Sequence, residues 1–431
     1  MLSASAIAQP AAPAAAQPPQ GEHVLVVQSN LKVMTGRLTA IDAQNAVTLI
    51  ESAGAQIKLD AARVLALIAC DPAAQPELGA GAYAPLSARR GPDAALLTRA
   101  LLAQSRGALT TSTGERYLGE LAPTTNDNAD RLTWSSPSLG NITISLDAVS
   151  MVRFPAADEG DEAGAPRSMP RLPPPGADDA VVLENADTFR GLITRVGDKV
   201  ELEPQEGGAA RSFDRSRVAA VVLANPTRAL SGPTLFLADG SVLRVSRTAT
   251  ERSARGGASL RLKTASEGEG VVPLNELRAW TPAAEKIVPL SSLTMGPAKA
   301  LPGRVFAPPP ALMAHADDLA TPGVSALNAQ DIVFLSGVET TFELPPGATH
   351  LIGTAALEDD ALEWGDCEAV VSSGPGIEPV RLRLSAEAPA AAIAARVTGP
   401  TLTVRIEPGR FGTVKDKLRL MRPLVVIGAG N

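Results

Sequence analysis

Apolar positions along this chain recur mostly with a period of two, in runs of four to seven residues broken by Gly, Pro, Asp and Asn. That rhythm predicts short half-buried strands joined by tight turns. The first series is Val24–Val27, Thr35–Leu38, Ala46–Leu49, Gln56–Leu59 and Val64–Leu67. The same order returns in Ala180–Leu183, Arg190–Ile193, Lys199–Leu202, Arg211–Asp214 and Val218–Val221. Looser copies span about Leu109–Phe154, with Tyr117–Leu121 and Ile142–Asp147, and Pro233–Trp280, with the hairpin signal Asp239-Gly240. At one point of each copy an apolar residue precedes Asp60, Asp147, Asp214 or Asn275. A side-chain oxygen there is expected to cap a single helical turn, and the preceding apolar residue to face the core.

A different series begins at Asp331 and ends near Ile427. Strand-like runs at Asp331–Phe334, Glu339–Leu344, Leu351–Leu357, Glu368–Val371, Val380–Leu384, Ala391–Val397, Leu402–Ile406 and Pro423–Ile427 are separated by turn residues. This is the pattern of an antiparallel sandwich. The stretch 282–330 has no clear period, and it is expected to supply the first strand or two of that sandwich, because long structureless loops are rare in compact domains.

Three landmarks of this last segment, Phe342-Glu343-Leu344-Pro345, Leu357-Glu358-Asp359-Asp360 and Phe411-Gly412-Thr413-Val414-Lys415-Asp416, resemble the bacterial NPCBM carbohydrate-binding modules. The resemblance covers about a quarter of the chain and implies a jelly-roll β-sandwich. Where that family often has a His-Ser pair and a late Trp, this chain reads Phe334-Leu335-Ser336-Gly337 and Leu418-Arg419-Leu420-Met421. Each repeated unit, with about five strands, looks like an Sm-like or SH3-like small barrel, and Gly36, Gly119 and Gly191 fit the sharp bend that closure needs. The expected fold is therefore all-β: tandem small β-barrel-like repeats followed by a C-terminal jelly-roll sandwich. The division is 23–70, 109–154, 180–225 and 233–281 for the units and 331–431 for the sandwich. Residues 71–108 form a linker with a short helix at Asp93–Arg106, 155–179 an acidic, Pro-rich linker, and 282–330 a connector.

The charge balance, −7 at neutral pH, and the lack of basic clusters interleaved with aromatics argue against a nucleic-acid partner. No stretch of about twenty apolar residues spans a membrane. Residues 1–22 are either the remnant of a signal peptide, with Ala6-Ile7-Ala8 as its cleavage motif, or a flexible Ala/Pro tail. The first reading places the protein outside the cytoplasm, in the periplasm or beyond. Cys70 and Cys367 lie in different units and read as two separate thiols.

Candidate chemistry is sparse. His23, His315 and His350 have no metal-ligand spacing, and no nucleophile elbow, zinc-binding helix or phosphate loop is present. Neither a cofactor nor a metal is expected, and no catalytic residue is assigned. Aromatic residues are 3% of the chain, and Phe334, Phe342 and Phe411 sit in apolar contexts that read as core. The expected function is non-catalytic binding of a glycan by the sandwich, with Trp364 stacking on the sugar and Asp359, Asp360 and Asp416 bonding its hydroxyls. The alternatives are a scaffold that binds protein partners or itself through strand edges, and a hydrolase with a site of unfamiliar form.

Overall fold

A computed structural model describes residues 22–51, 53–70, 107–123, 130–155, 172–173, 176–205, 207–252, 258–266, 268–313, 326–358, 361, 365–412 and 417–428. The expected N-terminal tail, the helix at Asp93–Arg106 and most of the acidic linker lie outside these residues. The chain is all-β, and the helical elements among the described residues are short 3-10 turns.

One order of elements, four strands, a 3-10 turn and a fifth strand, occurs four times. The first run is β1 (Glu22–Gln28), β2 (Val33–Ile41), β3 (Val47–Ile50), β4 (Gln56–Leu59) and β5 (Val64–Ala69). The second is β6 (Gly107–Thr111), β7 (Arg116–Leu121), β8 (Arg131–Ser136), β9 (Gly140–Ser145) and β10 (Val149–Arg153). The third is β11 (Asp179–Leu183), β12 (Thr188–Val196), β13 (Lys199–Glu203), β14 (Arg211–Asp214) and β15 (Val218–Val222). The fourth is β16 (Thr234–Leu237), β17 (Val242–Arg252), β18 (Ala258–Thr264), β19 (Glu269–Pro273) and β20 (Leu277–Thr281).

The expected helical turn is present in each run, but its expected cap is not. Asp60 and Asp214 precede their turns without a side-chain capping bond. Asp147 and Asn275 lie inside turns that begin at Leu146 and Leu274. A three-residue turn leaves few amides to satisfy, and the backbone closes it alone: Val64 N–H, for example, donates to the Ala61 carbonyl. The apolar residue before the aspartate is buried at Leu59 and Leu146, as its position predicts, whereas Phe213 is half-buried.

The expected closed barrels do not form. In each run the fifth strand pairs with the first, as β5 does with β1. Its other edge is occupied by the fifth strand of another run, so it has no edge left with which to close on the fourth. β10 pairs with β15 through Met151↔Val222, Val152↔Val221 and Arg153↔Ala220. β5 pairs with β20 through Ile68↔Ala279 and Leu67↔Trp280. In both seams the fourth residue after the 3-10 turn faces its own counterpart, an isologous register like that of a two-fold dimer. Runs two and three form one such pair, one and four the other. Among the described residues, a single strand-ladder pair, Val242↔Arg116, links the two pairs. The result is one 20-stranded sheet over a shared core.

The bend in the second and third runs depends on close backbone approach. A Cβ on Gly191 would lie 2.2 Å from the Glu203 carbonyl oxygen, and one on Gly119 2.0 Å from that of Ser135. Gly191→Ala is expected to lower stability by about 1–3 kcal/mol through forced backbone displacement, read as a shift in denaturation midpoint.

The remaining strands build a two-sheet sandwich. They are β21 (Ile287–Pro289), β22 (Lys299–Ala300), β23 (Ala311–Met313), β24 (Asp331–Leu335), β25 (Val338–Glu343), β26 (Ala348–Leu357), β27 (Asp366–Ser372), β28 (Val380–Ser385), β29 (Ala390–Arg396), β30 (Thr401–Pro408) and β31 (Lys417–Ile427). One sheet runs β23-β24-β31-β26-β29 with β21 also on β31, and the other β22-β25-β30-β27-β28. The stretch 282–330 thus supplies three strands rather than one or two. β31 is buried on both faces, which explains its apolar run Pro423–Ile427. Leu418, Leu420 and Val425 face the sandwich core, while Leu424 and Val426 join Ile352 in a cluster with Leu65, Ile68, Phe236 and Ala279. The first sheet therefore docks on the seam between runs one and four.

Candidate functional site

With the first sheet's outer face covered, the solvent face of the second sheet and the loop ends remain for a ligand. That face carries pairs of opposite charges, both across and along its strands. Arg381 pairs with Glu368 at 2.6 Å and Glu407 at 3.5 Å, and Arg405 with Glu407 at 2.5 Å. Exposed pairs of this kind contribute about 0–1 kcal/mol each. They hold the face polar and offer no aromatic platform.

One end of the sandwich differs. The register Leu335↔Lys417, Leu357↔Leu418, Cys367↔Pro408 and Val338↔Ile406 brings the β24–β25, β26–β27 and β30–β31 connections to that end. Its described residues include a buried carboxylate, Asp366, which is 5% exposed. Arg383 Nη2 donates to both Asp366 carboxylate oxygens, at 2.8 and 3.0 Å, and the Arg410 backbone N–H donates to Oδ2 at 3.1 Å. The chain can pass this close only as glycine at 409, where a Cβ would lie 2.0 Å from the Asp366 carbonyl oxygen. Asp366 thereby fixes the start of the 409–412 turn, and that turn presents Arg410 and Phe411. The Arg410 guanidinium stands 4.5 Å from the centroid of the Phe411 ring, a cation–π contact.

The Phe residues divide. Phe334 and Phe342 are core, as expected. Phe411 is not, because the turn between Gly409 and Gly412 carries it outside the sheet, where it is 42% exposed. A second exposed aromatic, Phe306, follows a segment tied to the β24–β25 turn by Leu301 N–H donating to Gly337 O and by Arg304 donating to Ser336 O. Alternation alone could not show either exposure; the flanking glycines were the available signal for Phe411. The four residues expected to bind sugar, Trp364, Asp359, Asp360 and Asp416, lie outside the described residues. Their flanks are described. Glu358 N–H donates to Lys417 O at 3.0 Å, so the 359–364 and 413–416 stretches spring from one rung of the ladder.

Beneath that rung lies a buried charged cluster. Arg419 donates to Glu358 and, through Nη1 at 3.2 Å, to Asp331, whose other oxygen accepts the Arg422 backbone N–H at 2.9 Å. Burial works against the Arg419 charge, and the Glu358 and Asp331 carboxylates outweigh it, so its pKa is raised. Glu358 is thus a structural partner rather than a loop acid.

A depression of about 500 Å³ lies between the second and third runs and gathers Glu120, Asp198 and Asp214 beside Arg215. All three carboxylates are solvent-exposed, which is the setting of solvated side chains rather than of a general acid or base. His23 and His350 sit on β1 and β26. Burial and the facing Arg396 lower the His350 pKa, so it is neutral at pH 7. Among the described residues, no three His, Cys, Asp or Glu side chains are arranged to hold a metal, and no helix is long and apolar enough to cross a membrane.

No protein-family model matches the chain, and no curated protein matches it. Solved structures do. A CBM51 module from a Clostridium perfringens GH95 protein, in complex with methyl-galactose, is 13% identical, covering 32% of this chain and 99% of that one at a TM-score of 0.24. The CBM51-2 and INT domains of Clostridium perfringens ZmpB, with GlcNAc, are 11% identical, covering 42% and 38% at 0.25. Tandem CBM51 modules of a Streptococcus pneumoniae family 98 glycoside hydrolase are 9% identical, covering 72% and 88% at 0.26. The chain thus spans well under half of the ZmpB structure it matches. These neighbours are carbohydrate-binding modules, and superpositions this loose carry no function across.

Proposed function

We propose that the chain is a non-catalytic, exported binding protein whose C-terminal sandwich takes a glycan at the loop end. In this reading the units 23–70, 109–154, 180–225 and 233–281 are a rigid support and 331–431, extended by the strands of 282–330, is the binding module. The observation that carries it is the Arg410–Phe411 turn, pinned by the buried Asp366 and exposed at the end of the sandwich that carries the β26–β27 and β30–β31 connections. A sugar ring needs an aromatic face for its C–H groups and charged or amide groups for its hydroxyls, and this end supplies both. Trp364, Asp359, Asp360 and Asp416 would complete the site.

The full chain is expected to be retarded on at least one immobilised polysaccharide in affinity electrophoresis. Phe411→Ala and Trp364→Ala should each weaken binding about tenfold, equivalent to ~1.4 kcal/mol. No retardation on any polysaccharide, or retardation unchanged in both variants, would reject the site. The scaffold reading has one observation in its favour, the strand seams, but those edges are already paired inside the chain.

A further inference from the structure

The contact between the second and fourth runs contains a buried carboxyl that the binding site does not use. Glu115, at the start of β7, is fully buried. Thr113 Oγ1 donates to its Oε2 at 2.9 Å, and the Tyr117 hydroxyl donates to its Oε1 at 3.0 Å. The same tyrosine oxygen lies 2.6 Å from Ser266 Oγ, which lies 3.2 Å from Thr264 Oγ1, so the network crosses from β7 to the β18–β19 turn. Elsewhere the described polar contacts of the seam include one backbone pair, Arg116 Nη2 donating to Gly240 O at 2.9 Å, Leu118 N–H donating to Ser241 Oγ at 3.1 Å, and Ser138 Oγ donating to Asp239 at 2.6 Å, while Leu139 and Ile142 pack against Gly270 and Gly268.

We propose that this seam is a pH-operated latch, held shut while Glu115 carries a proton and loosened when it ionises. The groups that face the carboxyl are uncharged. They are Thr111 from β6, Thr113 from the β6–β7 turn, Tyr117 from β7, Ser266 from the β18–β19 turn and the Arg244 backbone from β17. The nearby charges are turned to other partners. The Arg116 guanidinium is spent on the Gly240 carbonyl, with Arg153 of β10 and Asp239 acting on it, and Asp239 and Glu276 converge on Ser138. Among the described residues, no cation therefore offsets the cost of ionising a carboxyl shielded from water.

Burial accordingly raises the Glu115 pKa above its ordinary 4.5, the hydroxyl bonds opposing. Burial, then the Glu115 charge, pushes the Tyr117 phenol well above its ordinary range, so that it stays a donor. A folded-state pKa above the unfolded one makes the stabilisation complete below the unfolded value and lost as pH rises through the folded value.

The test is amide hydrogen exchange on the full chain between pH 5 and 8, corrected for intrinsic chemistry, read at β7 and β17 against β31 as internal reference. In the wild type, opening of the seam should increase with pH, by up to tenfold per unit above the midpoint, while β31 stays level. Glu115→Gln should abolish the slope. Tyr117→Phe, which removes one donor to the carboxylate, should move the midpoint upward. A flat wild-type profile, or a slope that survives Glu115→Gln, would overturn the latch. If Glu115→Gln does not fold, the wild-type slope and the Tyr117→Phe midpoint decide, an unmoved midpoint counting against it.

Discussion

Arg419→Ala is expected to destabilise the C-terminal sandwich by about 3–5 kcal/mol, the usual loss when one member of a buried ion pair is removed. Asp331 is fully buried and Arg419 nearly so, and the substitution would take from the Asp331 carboxylate the guanidinium that it shares with Glu358. The loss should come from the stranded charge rather than from the vanished attraction. A paired change, Arg419→Met with Asp331→Asn, should therefore recover most of it. The check is denaturation followed by hydrogen exchange in β24 and β31, which isolates the sandwich from the other runs. A loss below about 1 kcal/mol in the single variant would show that Asp331 is compensated otherwise. The result bears on function too. Glu358 loses its Arg419 partner in both variants, so on the proposed reading glycan affinity should fall in both, even where the pair recovers stability.

Trp280→Ala should cost about 3–5 kcal/mol and loosen the seam between runs one and four. The indole is fully buried, its backbone is paired with Leu67 at the centre of the local two-fold, and the sandwich packs on the same seam through Ala279. Its Nε1–H has no hydrogen-bond partner among the described residues. Trp280→Phe forfeits no polar contact, so it should cost only the smaller ring's packing, about 1–2 kcal/mol. Thermal denaturation separates the two variants. Equal losses would mean that the indole N–H has a partner worth as much as the ring.

Much of the architecture was legible from spacing. Period-two runs became strands, Gly191 and Gly119 sit where one strand passes another at contact distance, and the apolar run before Ile427 is a strand covered on both faces. The candidate site was legible only in outline. The landmarks at Leu357–Glu358 and Phe411–Gly412 do fall at one end of the sandwich. The assignment of Phe411 to the core failed because a turn held by Asp366, forty-five residues earlier, swings it out. No local pattern encodes an anchor that distant.

Alternation of side chains, punctuated by glycine and proline, determined by itself that the repeated units and the C-terminal segment are sheet and that one unit recurs, because backbone geometry and the cost of burying polar groups act locally. Tertiary structure alone decided that the units stay open and pair through their last strands. A strand edge carries the same unpaired amides and carbonyls whichever neighbour it meets. The choice between closing on itself and joining another run depends on which apolar faces are buried together, and that is a property of the whole molecule.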